Sequence, residues 1–227
     1  MNTALPKKAL FVRADRAYIF SQLSIMFLPR IKLLVFSLLL FACEAKSQTH
    51  QDSLDLWRDM ETYYRVNKKL DYDSILNFMP PKFFSIAPKA LMKSGLKKTF
   101  ESDLLLMSFD TFNYTSVQPL AKFDTVLATM VGYDIALSIT YTGEQDSSYV
   151  EMKKKSMSEK YGEENVRVSS TNSKKLEIKT PGKKMFALKE PKWDSWKFLE
   201  DKRSYGDERQ QKMLDMVIPK AVLDYFK

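Results

Sequence analysis

Apolar positions along the chain follow two different periods. Leu54, Trp57, Met60 and Tyr64 recur at three- and four-residue steps, which predicts an amphipathic helix over 54–69. Asp52 or Ser53 can cap its start by accepting hydrogen bonds from free N–H groups of the first turn. A shorter helix is expected from Asp71, with Ile75, Phe78 and Met79 inward, ending at Pro80-Pro81 because proline cannot continue it. A third helix carries Pro88 in its first turn and Met92, Leu96 and Phe100 on one face.

The period then changes to two. Val131, Tyr133, Ile135, Leu137, Ile139 and Tyr141 alternate with Gly132, Asp134, Ala136, Ser138, Thr140 and Thr142, the pattern of a half-buried strand. Residues 104–118 and 123–130 also favour strand. Thr180-Pro181-Gly182-Lys183 reads as a turn between Leu176-Glu177-Ile178 and Met185-Phe186-Ala187-Leu188, which predicts a hairpin. Trp193–Leu199 supplies a further strand. Ser148–Tyr161 is expected to be helical and closed by Gly162. A last amphipathic helix covers Asp207–Asp215, before a short closing turn through Val222, Leu223 and Phe226. Helices followed by strands define an α+β class, with N-terminal helices on a curved, mostly antiparallel sheet, an inserted helix and a C-terminal helix. Residues 48–227 read as a single domain of this class.

The first 47 residues read differently, as a leader. Arg30 and Lys32 precede a ten-residue apolar run, Leu33–Ala42, within the signal-peptide core 31–42. That run is far below the roughly 20 residues a membrane-spanning helix needs. Met26 is the expected true start, since the stretch before it is unusual for a leader. Cleavage has two candidate sites. Leu40-Phe41-Ala42-Cys43 resembles the bacterial lipoprotein motif, with Phe41 bulkier than usual, and would make Cys43 the lipidated N-terminus. Ala45-Lys46-Ser47 would instead release a soluble periplasmic or secreted protein beginning at Gln48. Both place the mature chain outside the cytoplasm, either anchored to a membrane or free.

Charge changes meaning once divided along the chain. The net charge is +8, but residues 1–43 hold six basic residues and one acid. The rest carries 30 basic and 27 acidic residues, so the mature domain is nearly balanced and lacks a nucleic-acid footprint. Cys43 is the single cysteine, which excludes a disulfide framework, a thiol nucleophile and a zinc–thiolate site beyond it.

Candidate chemistry is sparse. The one histidine, His50, lies beside the leader, so no His-based triad or His-ligated metal is expected. Six glycines, none in a G-x-G cluster, argue against a nucleotide site, and no cofactor is expected. Asp134 is the best carboxylate candidate, mid-strand among apolar neighbours, but alternation turns it away from Tyr133 and Ile135 and favours an ordinary solvent-facing strand residue, so no catalytic residue is assigned. Asp71 and Asp73 fit helix capping before a metal or acid–base pair. Lys153-Lys154-Lys155 and Lys160 could meet a phosphate or an anionic lipid surface, but Glu151, Glu159, Glu163 and Glu164 offset them and favour solvated helix positions. Tyr63, Tyr64, Trp193 and Trp196 fit core packing or a pocket wall. Asn113-Tyr114-Thr115 matches a glycosylation sequon, relevant only in a eukaryotic secretory pathway.

The element order and the segment Trp193-Asp194-Ser195-Trp196-Lys197-Phe198-Leu199 resemble the nuclear-transport-factor-two-like (SnoaL-like) superfamily of cone-shaped domains. The inserted helix at 148–161 and the helix after the closing strand depart from that order. The tail Val217–Leu223 resembles those of exported proteins of Bacteroidetes-type bacteria. The resemblance implies a cone-shaped pocket, and enzymes of the superfamily place an Asp, often with His or Tyr, at its base. With no such motif here, the expected function is an envelope-located, non-enzymatic domain binding a small apolar ligand or a protein partner. The alternatives are an enzyme using an isolated pocket carboxylate and a structural envelope accessory protein.

Overall fold

Two long antiparallel strands form the spine of the molecule. The computed structural model describes residues 50–203 and 208–227, so the leader, Cys43 and both cleavage sites lie outside it. Ser53–Lys227 forms one compact unit. The first helix, α1 (residues 50–68), is already helical at residue 50, so Asp52 and Ser53 lie within it rather than capping it. After it come α2 (Tyr72–Asn77), a 3-10 turn (Pro81–Ser85) and α3 (Lys89–Phe100). The sheet begins with β1 (Leu105–Val117), β2 (Ala121–Phe123) and β3 (Val126–Tyr141). Then follow α4 (Ser147–Tyr161), a 3-10 turn (Glu163–Asn165), β4 (Val166–Val168), β5 (Lys175–Lys189), β6 (Lys197–Glu200), α5 (Glu208–Val217) and α6 (Lys220–Tyr225).

The class is α+β, with an open, six-stranded antiparallel sheet in the order β1-β3-β5-β4; β2 adds to β3 and β6 to β5. Asp71 caps α2 by accepting from the Ser74 N–H, and these bonds hold its carboxyl below the usual range. Gly162 closes α4 with φ +93°. The strand expected over Trp193–Leu199 is shorter: Trp193 closes a turn onto the Glu190 carbonyl at 3.0 Å, and pairing starts at Lys197.

Two sequence expectations are overturned. Thr180-Pro181-Gly182-Lys183 does not reverse the chain; β5 runs straight through it. The register with β3 passes from Tyr133↔Lys183 to Ile135↔Thr180, leaving Pro181 and Gly182 as a bulge opposite Asp134. Proline has no N–H for the ladder, so a bulge is where a central strand can hold one. Gly182 takes φ +69°, and its N–H donates to Asp134 Oδ1 at 2.8 Å. The turn signal is thus spent on a bend within a strand.

The second correction concerns α1. Its buried residues are Leu56, Asp59, Met60 and Asn67, whereas Leu54 and Trp57 remain 51% and 49% exposed. Both stripes satisfy helical spacing. The inner one contains an aspartate, so a hydrophobic pattern discounts it. Asp59 is tolerated there because Oδ2 accepts the Trp196 backbone N–H at 2.9 Å while Oδ1 accepts from the Arg58 guanidinium.

Strand alternation sorts the core. On β3, Val131 and Tyr133 pack with Leu56, Met60, Phe78, Trp196 and Phe198 beneath α1 and α2. Farther along the same face, Ile139 and Tyr141 pack with Val150 of α4 and with Val166, Leu176 and Ile178. Ala128 and Met130 face the other way, onto Leu214, Val217, Val222 and Phe226 of the C-terminal helices. The α1–α2 layer is pinned to the sheet by Tyr114 Oη donating to the Met60 carbonyl at 2.5 Å and by the Phe198 N–H donating to the Phe78 carbonyl at 2.7 Å. Among the described residues no helix is long and apolar enough to cross a membrane.

Candidate functional site: an aromatic cleft between the helices

The helices on the inner face of the sheet cover its two ends and leave a gap between them. α1 and α2 occupy the end near β6, and α4 occupies the end near β4. The gap is a cleft of about 270 Å3. Alternation places Tyr133, Ile135 and Leu137 of β3 on its floor, because they share the inward parity of Val131 and Ile139. Phe109 and Phe112 of β1 extend the floor, and Thr180, Lys183 and Met185 of β5 complete it. Tyr63 and Asn67 form the α1 wall; Phe100 and Tyr161, the last residues of α3 and α4, stand at the rim.

Rings dominate this surface. Phe112 and Tyr133 stack at 4.6 Å with planes 6° apart, and Tyr63 meets Phe112 edge-on at 6.5 Å. Phe100 lies 5.2 Å from Phe109. Such geometry is favourable by about 0.5–1.5 kcal/mol per pair beyond burial, so the walls are preformed.

Polar groups converge at one end. Among the described residues, Glu200 of β6 is the carboxylate that lines the cleft. Lys183 Nζ lies 3.5 Å from its Oε1, and Lys202 Nζ lies 3.6 Å from its Oε2. Lys183 is the more sheltered ammonium, at 18% exposure against 37% for Lys202. Burial pushes the Tyr63 hydroxyl up to about 12; a hydrogen bond with Asn67 opposes this and the Glu200 charge adds to it. Burial also raises Tyr133, helped by Glu200 and by Tyr63 and Tyr114. Both therefore remain neutral phenols at ordinary pH, suited to donating hydrogen bonds rather than to removing protons.

The structure distributes the sequence candidates widely. Tyr63 lines the cleft, while Tyr64 packs beside it at 6.1 Å from Phe112. Trp196 is fully buried core, and Trp193 packs against the cluster under the C-terminal helices. Asp134 is not a lining residue; its carboxylate satisfies the β5 bulge. Asp71 is a cap, and Asp73 pairs with Lys93 at 2.6 Å on the surface. Lys154 pairs with Glu151 at 3.8 Å, and Lys153 sits 5.2 Å over the Tyr149 ring. A wider hollow of about 570 Å3 beside α4 has Glu151, Lys154, Lys155 and Glu159 in its wall, a mixed-charge solvated surface. His50 is exposed and helical rather than part of an irregular lead-in. Asn113 sits mid-strand in β1, paired with Asp134. Cys43 lies outside the described residues.

Sequence reading missed Phe112, Lys183 and Glu200. Lys183 was hidden by its assignment to a turn. Phe112 belongs to a strand whose bulges, at Phe109/Thr111 and Tyr114/Ser116, break the alternation that would have placed it. Among the described residues, no three His, Cys, Asp or Glu side chains are placed to share a metal ion. No protein-family model, curated protein or solved structure matches this chain.

Proposed function

We propose that the mature chain is an exported, envelope-located binding protein that holds a small, ring-bearing apolar ligand in the cleft between α1, α4 and the sheet. The observation that carries this reading is the concave aromatic surface, with its few polar groups gathered at one end. That is the composition of small-molecule sites: apolar walls for affinity and a few placed polar groups for orientation. The volume of about 270 Å3 is just below the roughly 300 Å3 where drug-sized sites begin, and it limits the occupant to one or two rings.

The layer of α1, α2 and α4 on one face of an open antiparallel sheet, with a cleft beneath it, favours a variant of the nuclear-transport-factor-two-like architecture, with α5 and α6 added on the other face. A binding role is favoured over catalysis because the tyrosines are held protonated and the cleft's carboxylate lies between two ammonium groups. Export rests on the Arg30–Ala42 leader pattern, and anchoring on Cys43.

A thermal-shift screen of the processed protein against neutral one- and two-ring compounds tests the binding role. Stabilisation is expected in the parent and absent in Ile135→Trp, which fills the floor. Equal stabilisation of both would refute the cleft as the site. Intact mass of the protein from its native membrane fraction tests the anchor: a diacylglyceryl adduct on Cys43 supports it, and an unmodified Gln48 N-terminus rules it out.

A further inference from the structure

Three polar side chains around the cleft have their acceptors within the protein. Tyr114 Oη donates to the Met60 carbonyl at 2.5 Å, Thr180 Oγ1 to the Ile135 carbonyl at 3.3 Å and Asn67 Nδ2 to the Tyr63 carbonyl at 2.8 Å. The Tyr133 hydroxyl differs. Among the described residues it has no hydrogen-bond partner, although the residue is only 7% exposed. The charge of Glu200 reaches it through space, without a hydrogen bond. Among the described residues, the unpartnered polar atoms sealed from solvent are Gln145 Oε1 and Trp196 Nε1. The Tyr133 oxygen is not one of them, so it opens onto the cleft that its residue lines. Stacking on Phe112 at 4.6 Å, with planes 6° apart, fixes the ring, so the place of this oxygen is set before anything binds.

From this arrangement we infer that the ligand of the cleft carries a carbonyl on its ring, whose oxygen accepts a hydrogen bond from Tyr133 Oη. The inference rests on the cleft being the ligand site and adds the chemical class of its occupant, aryl ketones and related ring carbonyls. Burial keeps the hydroxyl protonated, so its part is that of a donor. A plain hydrocarbon would displace water from this hydroxyl and leave it unpaired, and an unmade buried hydrogen bond costs more than a made one contributes. A ligand alcohol can also accept, but it brings a hydrogen that needs an acceptor of its own. A carbonyl oxygen accepts without adding a donor. The ring of the ligand takes up the apolar floor around Ile135 and Leu137, beside the Phe112–Tyr133 stack.

The test is calorimetric titration of the processed protein with 1-indanone and indane, the same bicycle with and without the carbonyl oxygen. Tyr133→Phe keeps the stacked ring and removes only the hydroxyl. It should lower the preference for the ketone over the hydrocarbon, read as the ratio of their dissociation constants, by about tenfold. The preference is the readout because hydrophobicity alone favours indane and is common to both proteins. A second measurement needs no variant. In the parent protein the carbonyl stretch of bound 1-indanone should lie below its value in cyclohexane, where nothing donates to it. An unchanged preference in Tyr133→Phe, or a bound carbonyl stretch at the cyclohexane value, would overturn the carbonyl assignment while leaving the cleft as a ligand site. Failure of both compounds to bind the parent would remove the cleft reading and this inference together.

Discussion

Removing the Asp59 carboxylate is the sharpest structural test, because one buried group joins the first helix to the entry of the last strand. Asp59 is 5% exposed and Trp196 is 0% exposed. The Trp196 backbone N–H donates to Asp59 Oδ2 at 2.9 Å across 137 residues of sequence. In Asp59→Ala this N–H loses its acceptor where water cannot replace it, a cost of about 1–3 kcal/mol. The ion pair with Arg58 adds little, because that side chain is 62% exposed and such pairs contribute about 0–1 kcal/mol. Relief of carboxylate desolvation offsets part of the loss, leaving about 2 kcal/mol. Asp59→Asn retains an oxygen at the same place and should lose about 1 kcal/mol or less. Urea unfolding followed by tryptophan fluorescence reads this directly. With a slope near 2 kcal/mol/M for a domain of this size, the alanine midpoint falls by about 1 M and the asparagine midpoint by less than half of that. Equal losses in the two variants would refute the acceptor role, as would an alanine variant within about 0.2 M of the parent.

Three further outcomes are expected. Gly182→Ala should cost about 1–2 kcal/mol through its φ of +69° alone, since nothing lies within 4 Å of an added Cβ, while Gly95→Ala in the exposed middle of α3 should gain up to about 1 kcal/mol; urea midpoints compare them. For Asp201, burial pushes the carboxyl up, but the Arg203 guanidinium outweighs this and holds it below the usual range. Its contribution is therefore full above the unfolded value near 4 and is lost as pH falls through the folded one. Arg203 also donates to the Leu223 and Phe226 carbonyls at 2.9 and 2.7 Å, so Arg203→Met should both flatten that acid limb and loosen α6, read by stability against pH and by amide exchange in 220–226. Tyr63 and Tyr72 are both raised to about 12 by burial, with Glu101 adding to Tyr72. Because the folded values exceed the unfolded value near 10, their contribution is intact below pH 10 and lost as pH rises through about 12. Absorbance at 295 nm should show these phenols ionising only with alkaline unfolding, and full ionisation of the folded protein at pH 11 would contradict their burial.

Local periodicity carried much of the architecture. The six-fold alternation from Val131 to Thr142 placed β3 and its inward face, and the 92–96–100 stripe marked the half-buried side of α3. What stayed illegible depends on long-range partners. Asp59 looks like an exposed residue until Trp196 supplies a donor from 137 positions away. Pro181-Gly182 looks like a reversal until Asp134 satisfies the Gly182 N–H and lets β5 continue. The cleft suffered from both effects. Tyr63 and Tyr133 were visible as ring positions, but Lys183 and Glu200 meet only because β5 is unbroken and β6 pairs along it, from Met185↔Glu200 onward.

The central claim is that the gap between α1, α4 and the sheet holds a small ring-bearing molecule. Methyl-resolved NMR of the processed protein, titrated with a panel of neutral one- and two-ring compounds, tests it most directly. The Ile135, Leu137 and Met185 methyls, which line the cleft, should shift together and saturate, while Leu188 and Val217 on the opposite face of the sheet stay in place. Shifts scattered over both faces, or no saturable shift at the three cleft methyls, would contradict the account.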